Sequence, residues 1–401
     1  MSSIDKHGPF AEETRLIHAG RAPALFGGAV NIPPFRASTV LFQTLADLDA
    51  HDPALRMVRY GRTGNPSSHA FEAAITELEE GHDAVSFASG LQAITSSLLA
   101  FTRQGDHVLI ADTAYAPTRG FANGILSRSG ITVEYFDPGI GAGITALLRP
   151  TTRVVFLESP GSLTFEVQDV PAICAAVTAA NPDIVLMIDN TWAAGLLFKP
   201  LKHGVHVSIQ SATKYVGGHS DASLGVAVCM RQDHWLRLKK AAIELGACAS
   251  ADDLFLGLRG LRSLQVRLRR HHESGIKVAR WLEARPEVTR VRHPALPDCP
   301  GHALWVRDFT GACGLFAFEI APVPRPALAA MVDGMHHFGM GYSWGGFESL
   351  ILPSNPAAIR TATPWAGGEL IRLHIGLEDA DDLIADLDAG FARLNAALEA
   401  K

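Results

Sequence analysis

Asp189 closes the apolar run Ile184-Val185-Leu186-Met187-Ile188, which sets a carboxylate at the C-terminal end of a buried strand. Open α/β sheets collect their ligands at that end. Lys214 follows the next apolar run, in Ser211-Ala212-Thr213-Lys214-Tyr215, and one strand-to-strand step brings its amine to the same edge. The pair suits pyridoxal 5'-phosphate, which needs a lysine to hold it as a Schiff base and a carboxylate to keep its ring nitrogen protonated. Taken singly, the two residues read as a turn aspartate and a surface lysine.

A phosphate cradle should stand beside them. Ser89-Gly90-Leu91 opens a helix predicted to run to Phe101. There Gly90 permits close backbone approach, and the free N–H groups of the first turn face an anion. The hydroxyls of Ser211 and Thr213 can reach the same oxygens. As an isolated motif, Ser-Gly before a helix is an ordinary cap.

Other motifs carry less. Gly141-Ala142-Gly143-Ile144-Thr145-Ala146 fits a dinucleotide pattern, but Asp137-Pro138 before it and Arg149-Pro150 after it make it a loop. A nicotinamide dehydrogenase is the alternative that would rest on it. His271-His272 and His336-His337 are sequence neighbours that cannot share a helix face, so no metal site is expected. The arginines between Arg259 and Arg270 alternate with leucines, which reads as a helix packed by its leucines rather than a nucleic-acid surface. The five cysteines are scattered without a C-x-x-C pair, and most read as small core residues.

The elements that must position these groups are legible as strand-length apolar runs. They are His107 to Ala111, Ile131 to Phe136, Arg153 to Leu157, Ile184 to Asp189, Val205 to Ile209 and Leu224 to Cys229. Helix-length stretches separate several of them, as a mostly parallel sheet covered on both faces requires. Ile32 to Gly64 is rich in Pro, Gly and polar residues and suits an extended arm. From Asp252 the pattern changes: a long helical stretch reaches Glu283, strands are predicted at Val288 to Arg292, Gly314 to Ile320 and Leu370 to Gly376, and a helix at Asp379 to Leu398. The expected division is an arm over 1–64, a large cofactor-binding domain over 65–251 and a smaller C-terminal α+β domain over 252–401.

Composition bounds the partners. Of 401 residues, 47% are hydrophobic and 19% charged, so the chain can bury a large core. A net charge of −6 gives no broad attraction to nucleic acid or anionic lipid. No apolar run approaches the roughly 20 residues that cross a bilayer, and Met1 to Gly20 is polar and acidic, so a cytoplasmic protein is expected. The low charge also hints that another subunit covers part of the surface.

The residues resemble the Cys/Met-metabolism family of pyridoxal-phosphate enzymes, fold type I. Glu13-Thr14-Arg15-Leu16, Tyr60-Gly61-Arg62, Ser89-Gly90-Leu91-Gln92, Asp112-Thr113-Ala114-Tyr115, Asp189-Asn190-Thr191-Trp192, Ala212-Thr213-Lys214-Tyr215 and Ile371 to Glu378 carry the resemblance along nearly the whole chain. It implies a seven-stranded, mostly parallel sheet in the large domain. It further implies that Lys214 carries the cofactor and then moves the substrate Cα proton, that Asp189 pairs with the ring nitrogen, and that Tyr115 stacks on the ring. Ser89, Gly90, Leu91, Ser211 and Thr213 would hold the phosphate, joined by Tyr60 and Arg62 from a neighbouring subunit. Arg372 would clamp the substrate carboxylate.

The segment Gly341-Tyr342-Ser343-Trp344-Gly345-Gly346 resembles the bacterial β-lyase branch, where many γ-lyases and γ-synthases carry Leu in place of Trp344. Tyr342, Ser343 and Trp344 would then line the substrate pocket. Thr63-Gly64-Asn65-Pro66 follows Arg62 in the style of the wider family. The implied activity is β-elimination from the sulfur amino acid L-cystathionine in methionine biosynthesis, by a homo-oligomer of shared-site dimers forming a tetramer. Cysteine desulfhydration, γ-elimination and γ-replacement on the same cofactor are the near alternatives, and a non-catalytic homologue the distant one.

Overall fold

In the computed structural model, which describes residues 10–52, 55 and 57–400, the chain builds two sheets. The first nine residues of the polar N-terminus, and three positions of the arm, lie outside the described residues. The large sheet contains β1 (Asp83–Phe87), β2 (His107–Ala111), β3 (Thr132–Phe136), β4 (Thr152–Glu158), β5 (Val185–Asp189), β6 (Val207–Ser211) and β7 (Gly225–Cys229). Their spatial order is β1-β7-β6-β5-β4-β2-β3, with β6, β5, β4, β2 and β3 parallel and β7 antiparallel to both its neighbours. The runs that predicted these strands are apolar without alternation because helices cover both faces. β2, β5 and β7 are buried at every position.

The small sheet is antiparallel throughout, in the order β10 (Leu350–Ser354), β11 (Glu369–His374), β9 (Leu315–Ile320), β8 (Val288–Arg292). Helices Leu264–Glu283 and Ala380–Glu399 pack on it through Val278, Leu282, Leu383, Leu387 and Phe391. The predicted helical stretch from Asp252 is two helices, Ala251–Leu261 and Leu264–Glu283, separated by a turn at Arg262 and Ser263.

Strands β1 and β10 were not expected from the sequence. β1 is a five-residue segment with polar residues at Asp83 and Ser86, and β10 holds Pro353. The segment from Gly141 is a short 3-10 helix, Gly141–Leu147, rather than an open loop. The arginine-rich helix spends its cations on carbonyls: Arg262 donates to Leu16 and Ala19, Arg267 to Gly260. Among the described residues of 32–64 the one helix is the single turn Leu45–Asp49, and the rest is irregular chain with bends and a turn at Gly61 to Thr63. No helix among the described residues is long and apolar enough to cross a membrane.

Candidate active site

Parallel strands end together, so the C-terminal residues of β4, β5 and β6 meet at one edge. Glu158 is the register partner of Asp189, and Ser211 lies one strand further. Beyond β6 the chain turns tightly, the Lys214 N–H bonding the Ser211 carbonyl at 3.1 Å, which swings the lysine over that edge. The helix Gly90–Phe101 starts there too, capped by the Ser89 hydroxyl on the Gln92 N–H at 3.1 Å. These groups line a cavity of about 210 Å³, closed from the other side by Trp344, Leu315 and Arg372.

The floor of the cavity is built by close backbone contact. A Cβ on Gly90 would stand 2.5 Å from the Ser211 Cβ, and one on Gly225 2.1 Å from the Ser89 carbonyl oxygen. Neither position accepts a side chain. The segment over Lys214 is equally constrained: Ser343 adopts φ +80°, and a Cβ on Gly345 would come within 2.8 Å of the Tyr215 nitrogen. Such backbone strain in a non-glycine residue collects at functional sites. It delivers the Ser343 hydroxyl to the Lys214 amine, which donates to it at 2.6 Å, while Trp344 sets its ring centroid 5.6 Å from the same nitrogen.

Charge in the cavity is sparsely compensated. Among the described residues Asp189 accepts hydrogen bonds from Thr191 alone, through N–H at 2.9 Å and hydroxyl at 2.5 Å. Burial raises its acid above the ordinary value, against those bonds and the charge of Lys214. Glu158 is pushed well up by burial and then by Asp189, opposed by the Tyr115 N–H. Burial, reinforced by Arg372 and opposed by Asp189, brings the Lys214 amine down to about 8. An amine so placed takes and returns protons near neutral pH. Arg372 reaches in from β11, its Nη2 donating to the Ser343 carbonyl at 3.0 Å.

The cavity thus gathers Ser89, Gly90, Leu91, Tyr115, Asp189, Ser211, Thr213, Lys214, Trp344 and Arg372. The Thr213 hydroxyl is engaged with the backbone of Leu224, at 3.2 Å to its carbonyl and 2.9 Å from its N–H. Three expected residues stand elsewhere in the single chain. Arg62 lines a separate small hollow and donates to the Ile243 carbonyl at 3.0 Å, Tyr60 bridges to Thr39, and Tyr342 is 89% exposed. Glu158 and Thr191 line the cavity and were missed. Glu158 carried the same signal as Asp189, an acid closing an apolar run.

The family model for the Cys/Met metabolism PLP-dependent enzymes matches residues 13–392. The chain belongs to this family. A cystathionine beta-lyase of Escherichia coli is 50% identical over 390 residues, covering 95% of this chain and 98% of the relative. An L-alanine/L-glutamate racemase of Wolbachia pipientis is 38% identical, covering 96% and 97%. The solved cystathionine gamma synthase of Xanthomonas oryzae superposes with a TM-score of 0.89 at 31% identity, covering 97% of this chain and 99% of that one.

Pyridoxal phosphate is therefore the cofactor, and the residues fit it. The start of the helix Gly90–Phe101 lines the cavity, where its first turn suits a phosphate, close packing at Gly90 and Gly225 leaves no room for side chains there, and Asp189 and Lys214 are the acid and amine that suit its ring nitrogen and aldehyde.

Proposed function

We propose that this protein is a carbon-sulfur lyase that converts L-cystathionine and water to L-homocysteine, pyruvate and ammonia by β-elimination. The observation that carries it is the 50% identity, over nearly the full length of both chains, to a cystathionine beta-lyase. Bound pyridoxal phosphate supplies an electron-withdrawing ring that makes the substrate Cα acidic.

The chain's own residues do the rest. Lys214 would hold the cofactor and, when free, take the proton from the substrate Cα; its lowered pKa suits it to both tasks. Asp189 keeps the ring nitrogen protonated. Tyr115 stacks on the ring and orients the incoming amine. Ser89, Gly90, Leu91, Ser211 and Thr213 hold the phosphate. Arg372 binds the substrate carboxylate in two-point fashion, which aligns the bond to be broken. Ser343, Trp344 and Tyr342 shape the pocket, with Ser343 already on the Lys214 amine. The proton that Lys214 takes is returned to the departing thiolate.

The working unit is a homo-oligomer of dimers, a tetramer in the cytoplasm, divided within each chain into an arm (1–64), a cofactor-binding domain (65–251) and a C-terminal domain (252–401). The arm supports this: Leu41, Leu45 and Leu48 stand 87%, 71% and 47% exposed, an apolar surface that asks for a cover. Tyr60 and Arg62 of one subunit would complete the phosphate site of its neighbour.

The test is product analysis with purified holoenzyme. Pyruvate with homocysteine supports the reading; 2-oxobutyrate with cysteine overturns it. Lys214→Ala should lose turnover and the visible cofactor band together, and mixing it with Arg62→Ala should recover part of the activity in hybrid dimers. A second reading, alanine racemisation at the same site, is favoured by the 38% identical racemase and needs the same Cα deprotonation. Formation of D-alanine from L-alanine would establish it.

A further inference from the structure

Glu158 lines the cavity, yet the proposed reaction gives it no task. It stands at the end of β4 in register with Asp189, and its Oε2 accepts the backbone N–H of Tyr115 at 2.7 Å. Tyr115 needs an anchor of this kind. The residue is 44% exposed, so packing alone does not fix it, and it stands at the start of the six-residue helix Ala116–Phe121 without a side-chain cap bond. The phenol is therefore aimed by the backbone that carries it.

That backbone is laced to the β4 terminus on both sides of Glu158. The Ser162 N–H bonds the Thr113 carbonyl at 2.8 Å, and Gln168 donates to the Glu158 carbonyl at 3.0 Å and to the Thr113 hydroxyl at 3.4 Å. A Cβ on Gly161 would collide with Thr113 at 2.4 Å, so the two segments are in direct contact. Among the described residues, Glu158 is the side chain within this lacing that hydrogen-bonds Tyr115 itself.

We propose that Glu158 is a positioning residue for Tyr115, its carboxyl oxygen fixing the backbone N–H so that the phenol ring faces the reacting centre. The proposal rests on the reading of the cavity as a pyridoxal-phosphate site with Tyr115 over the ring. Asp189 faces Glu158 from β5, Tyr115 from the adjoining turn, and Lys214 and Arg372 share the cavity. Burial and then Asp189 push the Glu158 acid well above the ordinary carboxylate value, toward its neutral form. A neutral acceptor of the same shape should therefore replace it without loss.

Two holoenzyme variants test this. Glu158→Gln keeps an acceptor for the N–H and adds no charge change; Glu158→Met keeps the volume and removes the acceptor. The readouts are kcat/KM on cystathionine, the visible circular dichroism of the bound cofactor, which reports the placement of groups around the ring without turnover, and the pH midpoint of the visible band. Expected are a Gln variant within about threefold of the parent with the same dichroism and midpoint, and a Met variant at least tenfold down in kcat/KM with altered dichroism at equal cofactor content. Parent-like turnover and dichroism in the Met variant would overturn the proposal, as would a Gln variant as impaired as Met. Should the Met variant not fold, the Gln variant decides alone: a tenfold loss, or a midpoint moved by a full unit, overturns it, and parent-like values sustain it. The dichroism and midpoint are read whatever the product proves to be, so a failed assignment of the substrate stays separate from a failure here.

Discussion

Asp112 and Asp189 are both buried acids just past or at the end of a strand of the same sheet, and the protein treats them oppositely. Asp112 is surrounded by donors: Arg119 at 2.9 Å, Arg360 at 3.1 Å, the Thr361 hydroxyl at 3.0 Å and the N–H groups of Thr361, Ala362 and Thr363 at 2.9 to 3.0 Å. Burial alone would raise its acid, but the Thr363, Thr361 and Ala362 N–H groups reverse that and bring it to about 2. Asp189 has Thr191 and a distant amine, and is raised. One acid is fully compensated and holds structure. The other is left under-compensated, and in the proposed reading the cofactor ring is the partner it lacks.

The compensated acid is the centre of a clasp between the sheets. Arg360 continues to the Thr164 hydroxyl at 3.1 Å and Glu166 at 3.2 Å, and Arg292 on β8 bonds Glu319 on β9 at 2.5 Å. Glu319 in turn accepts the Gly368 N–H at 3.1 Å. The segment 360–368 leading into β11 is thus tied to the end of β2, and β11 carries Arg372. Structure that is far from the chemistry sets the distance between Arg372 and Tyr115, which follows β2 by four residues.

Removing the clasp acid should have the largest effect on stability. Asp112→Ala leaves Arg119 buried without its carboxylate and Arg360 with Glu166 as its remaining one, a loss on the order of 3–5 kcal/mol in denaturant unfolding. A loss below about 1 kcal/mol would break the comparison. Asp189→Asn is the converse: stability should change little, because no cation is orphaned, while kcat falls on the order of a hundredfold as the ring nitrogen loses its anion. Steady-state kinetics beside an unfolding curve separates the two, and a stability loss matching that of Asp112→Ala would erase the distinction.

The same contrast explains what the sequence made legible. Lys214, Asp189 and Ser211 could be read because each sits at or just beyond the end of an apolar run, and parallel strands carry that local order into space. Glu158 obeys the same rule and was there to be found. The clasp was not, because Arg360 and Asp112 are 248 residues apart and nothing local marks either as a partner. β1 and β10 escaped for local reasons, polar residues in one and Pro353 in the other. Arg62 and Tyr60 stand away from the cavity of their own chain, so only the resemblance connected them to it.

The lowered acid of Asp112 makes a smaller, pH-resolved prediction. Its folded pKa lies below the ordinary aspartate value of 3.8, so it contributes stability that is present above that value and lost as pH falls through about 2. The contribution is about 2 kcal/mol, the energy equivalent of that displacement. Comparing unfolding of the parent with Asp112→Asn from pH 5 to pH 2 should show the difference between them narrowing across that window. A difference that stays constant would assign the stabilisation to shape rather than charge.

The smallest change separates the two kinds of donor in the clasp. The Thr361 hydroxyl donates to Asp112 Oδ1 and also receives Arg119 Nη2 at 3.0 Å, so it bridges a cation and an anion that already touch. Thr361→Val keeps the β-branched shape and the N–H on Asp112 but deletes the bridge. With five donors to Asp112 remaining, the loss should be about 1 kcal/mol and kcat should hold. If instead KM for cystathionine rises severalfold at unchanged kcat, the hydroxyl is setting the reach of Arg372 to the substrate carboxylate, and the clasp belongs to binding as well as to stability.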